Sequence, residues 1–229
     1  MKVLVTGGAG FIGSHIVDLL VEKGHSVKVY DNLDPQVHSQ SPALPDYFNK
    51  SAQFIFGDIR DKEKLYDALK DVEVVFHKAA AVGVGQSMYQ IEHYVDVNTR
   101  GTAILLDLLV NRPNKVRKLI VAASMSSYGE GRYKCAACGQ ISPKMRTEEQ
   151  LKKKKFEIIC DCGRTAEPIA TDEDKLRDSA SIYAITKKDQ EDMCLNIGRA
   201  YKIPTVALRY FNAFGPRQSV NNPYTGVVA

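Results

Sequence analysis

The sequence predicts an α/β fold in which a parallel β-sheet is covered by helices on both faces. Short aliphatic and β-branched runs alternate along the chain with longer segments whose apolar residues recur every three or four positions. Parallel strands need long crossover connections, and right-handed crossovers produce a doubly wound sheet. One segment, residues 131–170, breaks the alternation and is interpreted as an insertion. The predicted domains are therefore 1–130 with 171–229 for the α/β part and 131–170 for the insertion.

The alternation predicts six strands and four main helices. The strands are predicted at Lys2–Val5, Ser26–Tyr30, Gln53–Phe56, Val72–Phe76, Arg117–Ala122 and Pro204–Arg209. The helices are predicted from Phe11 to about Gly24, and over Asp61–Leu69, Tyr89–Val110 and Ser181–Tyr201. Gly24 is a typical helix stop, since glycine readily adopts the left-handed conformation that ends many helices.

Composition excludes several classes of protein. The chain has 229 residues and a net charge of +4, and no apolar run approaches the roughly 18–20 residues that span a bilayer. This net charge is too small to indicate nucleic-acid binding. Segment 131–170 contains nine Lys and Arg and five Asp and Glu, and this surplus of positive residues accounts for the whole net charge. The early glycines do not resemble a signal peptide, so we expect a cytoplasmic protein. Five cysteines in such a chain favour metal binding over disulfides.

A glycine-rich segment, Thr6–Gly13, lies between the first predicted strand and the first helix. Gly7, Gly10 and Gly13 are spaced by three residues. This pattern suits a tight turn, a close approach of the backbone to a pyrophosphate, and a helix N-terminus that binds the anion. The strand–turn–helix context favours a dinucleotide site over an ordinary tight turn.

Asp31 ends the second predicted strand, where a carboxylate can accept hydrogen bonds from the adenosine ribose. The same negative charge repels a 2′-phosphate, so NAD is favoured over NADP. The alternative is a solvated turn aspartate in the polar segment 31–34.

Tyr183 and Lys187 lie four residues apart in the last predicted helix and therefore share one face. A lysine ammonium is expected to lower the pKa of a neighbouring tyrosine, and such a pair can transfer a proton to and from an alcohol. The alternative is an exposed helix face. Ser124 and Ser126 follow the fifth strand, where α/β sheets place ligands, or belong to an ordinary serine-rich loop.

The insertion carries two cysteine pairs, each followed by glycine. Cys135 and Cys138 form a CxxC pair, and Cys160 and Cys162 form a tighter CxC pair. Four thiolates at this spacing predict a zinc-ribbon-like structural Zn²⁺ site, because no coordination position is left open for water. A redox disulfide and a site that has lost its metal are the alternatives. Cys194 is interpreted as a core residue.

Taken together, these motifs resemble the extended short-chain dehydrogenases/reductases of the NAD-dependent epimerase/dehydratase family. The matching segments occur in the family's order over nearly the whole chain outside the insertion. They are Gly7–Gly13, Gly57–Ile59, His77–Ala80, Asn98–Thr102, Ser124–Gly129, Tyr183–Lys187 and Arg209–Asn212. The resemblance implies a Rossmann fold, bound NAD and a UDP- or dTDP-linked sugar substrate. Some 4-epimerases that the chain resembles, including dTDP-L-rhamnose 4-epimerases, contain similar cysteine ribbons.

The resemblance also implies a role for each matching residue. It assigns catalysis to Ser124, Tyr183 and Lys187, with Ser126 as the competitor of Ser124, and a structural role to His77. Implied NAD contacts are Gly7, Gly10, Phe11, Ile12, Gly13, Asp31, Asn32, Asp58, Ile59, Ala79, Ala80, Ala81, Asn98, Tyr183, Lys187 and Tyr210. Implied substrate contacts are Ser124, Ser126 and Asn212.

Two residues after Ser124 point to the reaction. Family members that eliminate water carry an acidic pair there, whereas this chain has Met125 and Ser126, which cannot protonate a leaving hydroxyl. Epimerisation at C4 of the sugar is therefore predicted. A dehydratase or a dehydrogenase/reductase of the same family remains an alternative.

An alternative of a different class is an NAD-sensing protein whose cysteine ribbon and Lys152–Lys155 bind nucleic acid. No aromatic residues are interleaved with these lysines, which makes nucleic-acid binding the less favoured function. A homodimer through the helices near 89–110 and 181–201 is expected by resemblance. The family's smaller C-terminal substrate region is expected to be missing, so the chain is interpreted as a fragment in which NAD binding does not by itself imply turnover.

Overall fold

The computed structural model describes residues 1–38 and 43–219, so the predicted domain end at 229 lies outside the described residues. The chain divides into two compact units. The first comprises Met1–Ser124 and the segment that begins at Ser181, and the second is Met125–Ala180. The predicted insertion, 131–170, lies inside the second unit.

Strands and helices alternate through the first unit, and short strands fill the second. The described strands are β1 (Lys2–Thr6), β2 (Ser26–Asp31), β3 (Gln53–Phe56), β4 (Val74–His77), β5 (Lys118–Ser124), β6 (Arg132–Cys135), β7 (Gly139–Ile141), β8 (Ile158–Ile159), β9 (Thr165–Ile169) and β10 (Thr205–Tyr210). The described α-helices are α1 (Phe11–Glu22), α2 (Pro35–His38), α3 (Lys62–Leu69), α4 (Val84–Ser87), α5 (Ile91–Tyr94), α6 (Gly101–Asn111), α7 (Glu148–Lys152) and α8 (Ile182–Ala200).

The first unit contains a six-stranded sheet in the order β10-β5-β4-β1-β2-β3, and every pairing in it is parallel. This is the predicted doubly wound Rossmann arrangement, which the structure confirms. The strand order reverses between β1 and β4, whose last residues, Thr6 and His77, are register partners. Ligands of such sheets bind outside the carboxyl ends of the strands at this switch point.

Side chains that alternate along β1 explain why both faces of the sheet are covered. Leu4 packs in one core cluster with residues of α3, α6 and α8, whereas Val3 and Val5 pack in a second cluster with Val17 of α1. Successive strand residues point to opposite faces, so a strand that is apolar throughout must be buried on both sides. Cys194 is fully buried in the first cluster.

The predicted helix Tyr89–Val110 is interrupted in the structure. A π-helical segment, Val95–Arg100, joins α5 to α6. Its wider turn carries Asn98 inward, where the Asn98 Oδ1 accepts from the backbone N–H of Ala81 at 2.7 Å and its Nδ2 donates to the Ala81 carbonyl at 3.1 Å. Apolar periodicity cannot reveal such a segment, because it changes the register by a single residue.

The second unit has its own small antiparallel sheet, in the order β7-β6-β9-β8. Its core contains Cys135, Ile158, Cys160 and Ala166. This core is much smaller than those of the first unit, and small cores commonly need a metal or a cross-link for stability.

In the part of the chain that the structure describes, no helix is both long enough and apolar enough to cross a membrane.

Candidate coenzyme and active site

The glycine-rich turn between β1 and α1 has the close packing that the sequence predicts. Gly7 has a φ of +66°, and its N–H donates to the Tyr30 carbonyl at 2.9 Å. A Cβ on Gly13 would lie inside van der Waals contact of the Gly7 carbonyl oxygen and 2.8 Å from the Gly8 Cα. A Cβ on Gly10 would meet only the Gly7 oxygen, at 3.6 Å. The turn therefore leaves the N-terminus of α1 open, and it fits a pyrophosphate there.

Replacing Gly13 with alanine is expected to weaken NAD binding at least tenfold, because the added methyl group must displace the turn that faces the pyrophosphate. Isothermal titration with NAD measures the change. Gly85→Ala is the matched control, since a Cβ at Gly85 would have no neighbour within 4 Å. Unchanged NAD affinity in Gly13→Ala with unchanged thermal stability would contradict the assignment.

Asp31 is buried, with 8% of its surface exposed, so it is not a solvated turn residue. Its Oδ2 accepts from the Ala9 N–H at 3.0 Å, and its Oδ1 accepts from the Leu33 N–H at 2.9 Å. The carboxylate thus ties the end of β2 to the glycine-rich turn. The His38 Nε2 lies 3.8 Å from the Asp31 Oδ1.

Asp58 and Asn32 meet beside Asp31 at the carboxyl ends of β2 and β3. The Asn32 Nδ2 donates to the Asp58 Oδ2 at 3.1 Å. Arg60 forms an ion pair with Asp58 at 2.6 Å, and this contact lowers the pKa of Asp58 to about 2. Ile59 points the other way, into the core against Gly101. The predicted adenosine side therefore contains two carboxylates, Asp31 and Asp58, each held in place by hydrogen bonds.

Tyr183 and Lys187 lie on the first turns of α8 and face the sheet. The helix begins at Ser181, whose side chain accepts from the Ala184 N–H. Lys187 is 3% exposed, and the Tyr183 side chain is hydrogen-bonded to the hydroxyl of Ser124, the last residue of β5. The structure thus brings the three predicted catalytic residues to one place, and the alternative of an exposed helix face does not apply.

The pKa of Tyr183 differs from the expectation. Burial raises it above the ordinary value of 10, and the hydrogen bond from Ser124 opposes that rise. The expected lowering by the Lys187 ammonium is absent, and the Lys187 Nζ donates to the Gln190 Oε1 at 2.5 Å. Tyr183 is therefore a neutral phenol at pH 7. It can accept a proton only as the phenolate, and additional positive charge is needed to lower its pKa and favour that form.

A buried hydrogen-bonded network supports Lys187. Gln190 donates through Nε2 to the Thr102 Oγ1 at 2.7 Å, and the Thr102 Oγ1 lies 2.9 Å from the His77 Nε2. The His77 Nδ1 lies 2.9 Å from the Thr6 Oγ1, at the end of β1. Burial lowers the pKa of Lys187 to about 8 and that of His77 to about 3, so His77 is neutral.

Two residues in this region were missed by the sequence analysis. Gln190 holds Lys187, as described above. Lys78 follows β4 directly, its Nζ donates to the Tyr210 hydroxyl, and the ammonium lies 4.0 Å from the centre of the Tyr210 ring. Burial and then the charge of Lys187 lower the pKa of Lys78 to about 7. A charged residue between an apolar strand and three alanines is the sequence signal that could have identified it.

The other predicted site residues are more scattered. Ala79 and Ala80 follow Lys78, and Ala81 is anchored by Asn98, whose Nδ2 also donates to the Thr186 Oγ1 at 3.0 Å. Phe11 and Ile12 form the first turn of α1. Asn212 is exposed after β10, and Ser126 belongs to the second unit. Within the first unit, hydrogen bonds thus join Ala81 and Asn98 to α8, whereas Asn212, a predicted substrate contact, is exposed.

The four predicted cysteine ligands lie together in the second unit. Their sulfur atoms are all within 4.8 Å of one another, and the Cys135 Sγ lies 3.6 Å from the Cys162 Sγ. All four are free thiols, so no disulfide joins them. Backbone N–H groups of Cys138 and Ala137 donate to the Cys135 sulfur and lower its pKa to about 6. Gly139 and Gly163 have positive φ, which allows each pair to turn tightly. This cluster can hold a metal ion.

Comparison with known proteins decides the family. The model of the "NAD dependent epimerase/dehydratase family" matches residues 3–229. The chain belongs to this family. Membership confirms the resemblance seen in the sequence, which included the doubly wound sheet, the glycine-rich turn and the Ser124–Tyr183–Lys187 group.

Relatives within the family include several 4-epimerases. A dTDP-L-rhamnose 4-epimerase of Burkholderia thailandensis is 34% identical over 230 residues, which covers 100% of this chain and 62% of that protein. A UDP-N-acetylglucosamine 4-epimerase of Methanobrevibacter ruminantium, solved with UDP-N-acetylmuramic acid, is 30% identical with a TM-score of 0.70 over 99% of this chain and 59% of that one.

Coenzyme is present in a further solved relative. The UDP-glucose 4-epimerase of Thermus thermophilus, in complex with NAD, is 30% identical with a TM-score of 0.70 over 96% of this chain and 58% of that one. The chain thus spans less than two thirds of the length of these relatives.

Proposed function

We propose that the chain carries the coenzyme and catalytic residues of an NAD-dependent nucleotide-sugar 4-epimerase. The observation that supports this most is the hydrogen bond between Ser124 and Tyr183, with Lys187 one helical turn further along α8. The group lies at the carboxyl end of β5, near the switch point where a doubly wound sheet binds a dinucleotide. Family membership and 4-epimerase relatives point to the same chemistry.

Tyr183 is the proposed general base and acid. Its phenolic oxygen accepts the proton of the sugar 4-hydroxyl as that carbon is oxidised, and it returns the proton after the keto sugar has turned over. Ser124 hydrogen-bonds the same sugar oxygen and stabilises the phenolate, which lowers the pKa of Tyr183. Lys187, whose pKa of about 8 leaves it protonated at neutral pH, is proposed to supply the additional positive charge once coenzyme and sugar are bound. Bound NAD supplies the acceptor, and later the donor, of the hydride.

Residues 125 and 126 support epimerisation over elimination. Met125 and Ser126 offer no carboxylic acid that could protonate a leaving hydroxyl. Elimination of water needs such an acid and a further base at the neighbouring carbon, whereas epimerisation at C4 needs only one proton-transfer residue.

The test is incubation with NAD and with UDP-glucose, UDP-galactose or dTDP-linked 6-deoxyhexoses, followed by NMR of the sugar. The proposal expects a product inverted at C4 and no net NADH. Stoichiometric NADH would identify a dehydrogenase instead, and a product that has lost water would identify a dehydratase.

The NAD contacts proposed are the glycine-rich turn with Phe11 and Ile12, the adenosine-side residues Asp31, Asn32, Asp58 and Ile59, and the residues near Lys187. The last group comprises Ala79, Ala80, Ala81, Asn98, Tyr183, Lys187 and Tyr210. Ser124, Ser126 and Asn212 are the proposed substrate contacts. The buried Asp31 carboxylate and the open N-terminus of α1 support this placement.

Asp31→Asn is expected to reduce the preference for NAD over NADP about tenfold, because the neutral amide no longer repels a 2′-phosphate. The ratio of the two dissociation constants measures this. Asp34→Asn is the matched control in the same loop, where the Asp34 Oδ1 accepts from the Gln36 N–H at 2.9 Å. An unchanged ratio in Asp31→Asn would remove Asp31 from the ribose site.

The cysteine cluster is proposed to hold a structural Zn²⁺. Four sulfur ligands at about 2.3 Å from a tetrahedral zinc lie roughly 3.8 Å apart. The sulfur atoms of Cys135, Cys138, Cys160 and Cys162, all within 4.8 Å of one another, are close to that spacing before any adjustment. Four thiolates also leave no open position for a reacting water, so the ion would stabilise the second unit.

A homodimer is also proposed. Apolar side chains are exposed from α4 to the π-helical segment, including Met88 at 55% and Tyr89 at 62% between α4 and α5, and Ile91 at 51% at the start of α5. A row of exposed apolar residues is typical of a surface that another protein chain covers. Sedimentation at several concentrations tests the proposal.

A further inference from the structure

Lys78 lies in the crevice of the doubly wound sheet but has no part in the proton transfer described above. Its backbone N–H donates to the Thr6 Oγ1 at 3.1 Å, at the carboxyl end of β1. A Cβ on Gly7 would lie 2.9 Å from the Lys78 carbonyl carbon. Lys78 is therefore in direct contact with the turn that faces the dinucleotide.

The Lys78 side chain runs along the carboxyl edge of the sheet toward the reacting groups. Its ammonium donates to the Tyr210 hydroxyl on β10, and β5 lies between β4 and β10. Tyr210 is the register partner of Ser124, so the two side chains point to the same face of the sheet. The Lys78 ammonium is thereby held at the end of β10, on the strand next to the one that ends at Ser124.

Two lysines of this region donate to neutral oxygen atoms. Lys187 donates to an amide oxygen and Lys78 to a phenol, and no ion pair with a carboxylate is made by either lysine among residues 1–38 and 43–219. Burial, and then the charge of Lys187, lower the pKa of Lys78. Uncompensated buried cations favour a ligand that adds negative charge.

We propose that Lys78 makes the coenzyme site prefer the reduced dinucleotide, NADH, over NAD⁺. This inference rests on the proposed function. The nicotinamide ring loses its positive charge when it is reduced, so a nearby ammonium repels NAD⁺ and does not repel the reduced ring. Lys78 thus favours the half-reaction in which the C4–H bond of the sugar breaks, the hydride passes to the coenzyme, and the hydroxyl proton passes to Tyr183 as the carbonyl forms.

The test is the ratio of the dissociation constants of NAD⁺ and NADH, measured at pH 6 by NADH fluorescence and by competition with NAD⁺. Relative to the unmodified chain, Lys78→Met is expected to lower the preference for NADH about tenfold. Lys78→Arg retains the charge and is expected to retain the preference. Lys115→Met is the control for net charge, since Lys115 is 71% exposed and pairs with Asp71 at 2.7 Å.

Two results would overturn the role of Lys78 while leaving the proposed function intact. One is an unchanged ratio of dissociation constants in Lys78→Met, and the other is an equal loss of NADH preference in Lys78→Arg and Lys78→Met. Failure of the unmodified chain to bind either coenzyme would overturn the proposed function and this inference with it. Lys78→Gln repeats the measurement with a neutral side chain that can still hydrogen-bond Tyr210, in case the methionine variant does not fold.

Discussion

Replacing Tyr183 with phenylalanine is expected to slow sugar oxidation about a thousandfold while NAD remains bound. The variant keeps the ring that packs against Tyr94, with ring centroids 6.3 Å apart, and removes only the hydroxyl that is hydrogen-bonded to Ser124. General acid–base catalysis by a single positioned group contributes roughly a hundredfold to ten-thousandfold. The measurement is the rate at which the C4-inverted sugar appears in NMR spectra after mixing with nucleotide sugar.

Tyr94→Phe is the matched control for Tyr183→Phe. It also removes a buried phenolic hydroxyl, whose oxygen lies 3.1 Å from the Gln86 Oε1, but it leaves the Ser124–Tyr183 contact intact. Only a small change in rate is expected. Equal effects of the two substitutions, or full activity in Tyr183→Phe, would show that Tyr183 is not the proton-transfer residue.

The second large effect is expected in the cysteine cluster. Cys138→Ser is expected to lower the zinc content from about one ion per chain to near zero, because a neutral hydroxyl replaces one of four thiolate ligands. Structural zinc sites contribute about 10–16 kcal/mol of apparent binding free energy, so the second unit should unfold or become protease-sensitive. Elemental analysis of protein purified under reducing conditions, combined with limited proteolysis, measures both effects.

Cys194→Ala is the control for the cluster, because Cys194 is a buried cysteine of the first unit and not one of the four clustered residues. It should retain zinc, although the loss of a buried side chain lowers stability. Unmodified protein without zinc, or a Cys138→Ser variant with full zinc content, would rule out the zinc site.

Features that depend on neighbouring residues were predicted well from the sequence. The glycine-rich turn was predictable because its tight φ values and close contacts need glycine within a few residues of a strand and a helix. The Tyr183–Lys187 pair was predictable because the helical repeat itself places residues four apart on one face. The cysteine cluster was predicted because each CxxC or CxC pair presents two thiolates from one tight turn.

Features that depend on distant residues were missed or predicted wrongly. The π-helical segment follows from hydrogen bonds of Asn98 with Ala81 and Thr186, which apolar periodicity does not report. The raised pKa of Tyr183 follows from its burial in the folded chain. The contact of Lys78 with Tyr210 could not be predicted, because it depends on the fold bringing β10 close to the end of β4.

By itself, the sequence determined the strand and helix order, the position of the glycine-rich turn and the four cysteines that cluster, because each follows from spacing along a regular backbone. The tertiary structure decided which charges meet. Strands far apart in sequence, β4, β5 and β10, end side by side and enclose Lys78 with Ser124. Electrostatic interactions act through space and grow as water is excluded, so the charge state of this site could be determined only from the folded chain.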